Sequence, residues 1–111
     1  MNPMKTQPVL IFISVPSIDI AKEIAHMLVE RKLAACVNIL PGVTSVYAWE
    51  GKINEEEELL LVAKSWEEIF EELVPAVQAV HPYQVPEIIS VPISNGLPAY
   101  LAWMGEVTQG E

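Results

Sequence analysis

Apolar residues run without a break from Val9 to Ile13 and resume at Val15 after Ser14. So short and β-branched a stretch predicts a central strand covered on both faces. Behind Ser17, a candidate N-cap, Ile20, Ala21, Ile24, Ala25, Leu28 and Val29 recur at the spacing of one helix face, with Lys22, Glu23, His26 and Glu30 opposite. The pattern predicts an amphipathic helix that ends near Arg31 and Lys32, whose charges suit a helix C-terminus. Leu33 to Trp49 and Ile53 to Lys64 then read as two long strands folded about Glu50-Gly51-Lys52, because Gly supplies the positive φ of a tight reversal. On the first arm Val43, Ser45, Tyr47 and Trp49 share one face and Thr44, Val46 and Ala48 the other. Neither face is built for water.

A straight arm from Leu33 to Trp49 would reach on the order of 55 Å. A chain of this length makes a globule roughly 34 Å across. The arm therefore bends, for which Pro41-Gly42 offers a place, or it projects. An apolar projecting tip calls for a partner, most simply a second copy of the chain.

Ser65-Trp66-Glu67-Glu68 matches a capping box, so a second helix is expected there, with Trp66, Ile69, Phe70, Leu73, Val74 and Val77 inward and Pro75 as a kink. His81-Pro82-Tyr83-Gln84-Val85-Pro86 cannot be regular, Glu87 to Val91 gives a short strand stopped by Pro92, and Asn95-Gly96 turns the chain. Pro98 can open a last short helix over Ala99 to Met104. The predicted class is α+β: a ferredoxin-like split βαβ two-layer sandwich with a long β-hairpin and an added C-terminal helix. Its bare sheet face would be covered by neighbouring subunits in a closed ring.

Composition narrows the function. The 111 residues suit one domain over 1–111. The net charge of −9 repels phosphate backbones and anionic lipid, which argues against nucleic acid and membrane surfaces and for cations. The run at Val9 to Val15 is too short to span a bilayer, and Lys5 alone makes a poor signal peptide, so a cytoplasmic protein is expected. The single cysteine, Cys36, excludes an intrachain disulfide and a CxxC zinc site. There is no GxSxG, HExxH or glycine-rich phosphate loop, so no enzyme is expected.

Three blocks, LAACVNILPGVTSVYAWEGKI, HPYQVPEII and YLAW at Tyr100 to Trp103, resemble the CutA divalent-cation tolerance proteins. The resemblance covers nearly the whole chain. It implies a homotrimer built through the long hairpins, a structural likeness to the PII signalling proteins, binding of copper or another divalent cation, no established reaction and no organic cofactor. It also places Lys64, Tyr83 and Glu87 near the intersubunit clefts. Members with proposed copper ligands carry a cysteine at the end of strand one and a His-His pair before Pro-Tyr; here those places hold Ser14 and Val80-His81.

Two side chains remain as candidate metal ligands. His81 lies in a proline-bracketed loop where an imidazole can be exposed, and imidazole suits copper, nickel and zinc. Cys36 is either a small buried hydrophobe or a soft-metal ligand. His26 reads as solvated, and Glu55 to Glu58 as a solvated run that discourages edge pairing or collects hard cations weakly. Tyr47 and Trp49 read as anchors of the trimer interface, with a stacking platform as the other possibility. A PII-like sensor of a small molecule in the same clefts is the alternative to a metal-binding protein. A small enzyme using His81 and Glu87 is a third reading.

Overall fold

The structure is a computed structural model and describes residues 4–110. Strand β1 (Pro8–Val15) alternates along its whole length: Val9, Ile11, Ile13 and Val15 are buried, while Leu10, Phe12 and Ser14 are half-buried on the other side. The unbroken apolar run therefore has only one fully sealed face within the chain. That face packs on helices α1 (Ile18–Glu30) and α2 (Glu67–Gln78), which supply Ala21, Ile24, Leu28, Ile69, Leu73 and Val77 to the same core. Ser17 caps α1, its side chain accepting from the Ile20 amide at 3.3 Å. Lys32 follows in the left-handed region, φ 59°, and turns the chain back toward the sheet.

The hairpin consists of β2 (Cys36–Trp49) and β3 (Lys52–Trp66). Its loop is tighter than expected, two residues rather than three. Glu50 and Gly51 both have positive φ, 50° and 77°, as a type I′ turn requires, and Trp49 pairs directly with Lys52. The register shifts between Leu40 and Val43, where Gly42 has φ 78°. The molecule both bends at that bulge and projects beyond it, with extents of 44 × 27 × 24 Å.

With β4 (Ile88–Pro92), the four strands form an antiparallel sheet in the order β2-β3-β1-β4, the ferredoxin-like arrangement. Pro92 closes an edge strand, where a missing amide is tolerated. Helix α3 (Pro98–Val107) opens on Pro98 and outlasts the predicted Met104 by three residues. Met104 is fully buried. The Lys5 ammonium holds the end of this helix, donating to the carbonyls of Gly105 at 2.6 Å and Thr108 at 3.1 Å.

The capping box does not form. Ser65 is the penultimate residue of β3, fully buried, and its hydroxyl donates to the Leu33 carbonyl at 2.6 Å. Glu68 instead accepts from the Thr6 amide and hydroxyl, both at 2.9 Å.

Candidate functional site

The face of the sheet away from α1 and α2 carries Leu10, Phe12 and Ser14 on β1 and, across the register, Lys64, Val62 and Leu60 on β3. Continuing the alternation along β3 puts Glu58 on the same side, opposite Val43. The segment after α2 folds back across the end of this face.

His81 fastens it there. Its amide donates to the Val77 carbonyl at 2.9 Å, its Nδ1 accepts from the Tyr83 amide at 3.1 Å, and its Nε2 lies 2.8 Å from the Ser14 carbonyl. A backbone amide can only donate, so Nδ1 is the acceptor and Nε2 carries the proton given to Ser14. His81 is 8% exposed. The sequence suggested an exposed loop imidazole; the structure holds it inside, with both nitrogens engaged.

Two residues on, the Tyr83 hydroxyl donates to the Glu58 carboxylate at 2.6 Å. Burial, that hydrogen bond and the negative charges of Glu58 and Glu56 push the Tyr83 phenol well above its ordinary value. Tyr47 is raised as well, chiefly by the neighbouring Glu56 carboxylate. Glu58 itself is 6% exposed, whereas Glu55, Glu56 and Glu57 face solvent. Reading the four acids as one solvated run missed it. The signal was its phase, even-numbered like Leu60 and Val62, which carries it onto the sheet face that the returning loop covers.

Between loop and hairpin lies a cleft of about 650 Å³ whose walls include Ser14, Tyr47, Trp49, Glu58, Tyr83 and Glu87. Among the described residues no Lys, Arg or His lines it. Of the residues singled out from the sequence, Tyr47, Trp49, Tyr83 and Glu87 thus come together. Lys64 lies elsewhere, six residues along β3 from Glu58, about 20 Å at strand spacing. Its ammonium sits 3.9 Å from the Cys36 sulfur, its neighbour across β2 and β3. Cys36 and His81 are also apart: Ser14, which His81 contacts, pairs with Leu60, four residues from the Lys64 that Cys36 faces. Among the described residues no group of three or more His, Cys, Asp or Glu side chains is placed to hold a metal ion.

A sequence profile of the CutA1 divalent ion tolerance proteins matches residues 9–107. The chain belongs to the CutA1 family. The divalent-cation tolerance protein CutA of Thermus thermophilus is 50% identical over 99 residues, 89% of this chain and 96% of that protein. The chloroplastic protein CutA of Arabidopsis thaliana is 43% identical over 106 residues, 95% of this chain and 58% of that protein. The crystal structure of CutA1 from Oryza sativa superposes with a TM-score of 0.92 at 39% identity, covering 96% of this chain and 98% of that one. The chain spans only 55% to 64% of the length of several animal CutA relatives. Among the described residues no helix is long and apolar enough to cross a membrane.

Proposed function

We propose that the chain is a non-enzymatic divalent-cation-binding protein that works as a homotrimer, with copper(II) bound ahead of other divalent ions. The observation that carries this reading is the cleft, which offers the carboxylates of Glu58 and Glu87 and, among the described residues, no basic side chain, the polarity that draws a cation and repels an anion. Membership of a family described by divalent ion tolerance supports the same choice. Among the described residues, one chain does not assemble a full ligand set. The trimer, formed over the bare sheet face and anchored by Tyr47 and Trp49, would bring donors of neighbouring copies to each cleft. His81 ligates in this reading only by giving up its bond to Ser14 or to Tyr83, and Cys36 is the alternative donor. A cytoplasmic location is part of the proposal, supported by the apolar run at Val9 to Val15 being spent on a central strand.

Calorimetric titration with copper(II) of the protein, His81→Ala and Cys36→Ser tests it. Copper should bind ahead of nickel, zinc and cobalt, with magnesium negligible, and His81→Ala should weaken it. Equal affinity in the parent and His81→Ala removes His81 as a ligand, and a loss confined to Cys36→Ser moves the site to the hairpin.

The volume of the cleft favours a second reading, a PII-like sensor of a small molecule. About 650 Å³ is the size of a metabolite site and far more than a bare ion fills.

A further inference from the structure

Helix α3 is held to the rest of the chain by little apolar surface. Only Met104 of it is fully buried, while Leu101 and Val107 pack half-buried against the core. Its two ends are fastened differently. At the first turns Leu101 lies so close to Gly96 that a Cβ there would meet it at 3.1 Å, so this end is pinned by packing. The last turn has no basic residue to answer the partial negative charge of its free carbonyls. Lys5 supplies one from 100 residues away, reaching the Thr108 hydroxyl at 3.2 Å as well as the carbonyls of Gly105 and Thr108.

The residues after Lys5 hold it in place. Thr6 and the Gln7 amide donate to Glu68, the Gln7 carbonyl accepts from the Glu67 amide at 2.8 Å, and the Gln7 side chain donates to the Ile93 carbonyl at 3.3 Å. We infer that residues 5–7 are a latch and α3 a flap pivoting at Asn95-Gly96: released from Lys5, the C-terminal half of α3 leaves the core as a unit while the sheet and α1 stay folded. A change at Glu68, on α2, is thereby transmitted to the end of α3. Gln109, just beyond the flap, donates from its amide to the Lys32 carbonyl and from its side chain to Glu72. The latch therefore lies on the helix side of the sheet, away from the face assigned to neighbouring subunits. Lys5, Thr6, Gln7 and Thr108 fall outside the stretch 9–107 matched by the family profile.

Trp66 supplies the force that works against the latch. It is 7% exposed, and Gly105 lies over its ring: a Cβ there would be 3.9 Å from Cζ2, which shares a bonded neighbour with Nε1. Among the described residues the indole N–H is buried without an acceptor. An unpaired buried donor favours any motion that lets it reach water. The glycine covering this ring is also one of the two residues whose carbonyls Lys5 grips. Opening hydrates the indole, and closing regains the three hydrogen bonds of the ammonium. Burial opposes closure further, lowering the Lys5 ammonium below its ordinary value. Opposed effects on one helical turn, with one fully buried side chain behind it, make α3 a local unit that opens below the free energy of global unfolding.

The test is hydrogen exchange of amides and of the Trp66 indole N–H, followed by NMR on the full chain as it assembles at pH 7. In the parent the Trp66 indole and the amides of residues 103–107 should share one protection factor, lower than that of Ile24 and Leu28 in α1. Lys5→Met should reduce that shared protection about tenfold and leave α1 unchanged, and Lys5→Arg should restore most of it. Glu68→Ala should loosen the same set of protons, and adding it to Lys5→Met should loosen them no further. An indole protected as well as α1, unchanged exchange of residues 103–107 in Lys5→Met, or a full effect of Glu68→Ala in the Lys5→Met background overturns the inference. The parent comparison needs no substitution, so it decides the matter even where a variant unfolds.

Discussion

Tyr83 and Glu58, 25 residues apart in sequence, meet through a 2.6 Å hydrogen bond that ties the returning loop to the hairpin. Tyr83→Phe leaves a buried carboxylate without its donor and should cost about 1–3 kcal/mol of stability at neutral pH, read by chemical denaturation. The alkaline limb gives a second readout. The folded-state pKa of Tyr83 lies above the unfolded value near 10, so the stabilisation is complete below pH 10 and is lost as pH rises beyond it. Stability of the parent should therefore fall more steeply above pH 10 than that of Tyr83→Phe. Parallel curves would reject the assignment.

Glu68 supplies the acid counterpart. Burial works against its charge, but the donors of Thr6 and the Gln7 amide prevail and hold the carboxyl below its ordinary value. A depressed carboxyl contributes stability above its unfolded pKa and loses it as pH falls through the lower folded value. Glu68→Gln should thus be less stable than the parent at pH 7, with the gap closing below about pH 4. A gap that stays constant down to pH 2 would show that the carboxylate charge is not what holds the 4–7 segment.

Ser65→Ala removes the donor to the Leu33 carbonyl in a fully buried spot and should cost about 1–3 kcal/mol, without shortening α2. Amide exchange over the first turn of α2 distinguishes the two roles. Faster exchange confined to residues 67–70 would mean that Ser65 is a helix cap after all.

Trp49 is 49% exposed beside the hairpin loop. If it anchors the proposed trimer, Trp49→Ala should weaken assembly by about 2 kcal/mol or more per interface. Sedimentation equilibrium over a dilution series measures this, and a variant that stays as associated as the parent excludes Trp49 as an anchor.

Elements whose evidence is local were legible in the sequence. The repeat from Ile20 to Val29 gave α1, and the apolar arms around Gly51 gave the hairpin, because periodicity and turn chemistry act within a few residues. The site was only half legible. Tyr47, Trp49, Tyr83 and Glu87 could be named, yet the burial of His81 depends on Ser14, 67 residues away. No local pattern reports that distance. Ser65 shows the converse failure: its neighbours spell a helix cap, but the buried Leu33 carbonyl also needs a donor and takes the hydroxyl.

The irregularity between Leu40 and Val43 acts as a phase shifter in the hairpin. Up to Leu40 the even-numbered residues of β2 share the side of Leu60; past the extra residue the odd-numbered ones do, since Val43 stands opposite Glu58. Tyr47 and Trp49 reach the cleft by virtue of a count, one residue gained at Pro41-Gly42, as much as by their own identity. Deleting either residue would keep every aromatic in the chain and send both rings to the opposite side of the hairpin, so length at this point is a stricter constraint than composition.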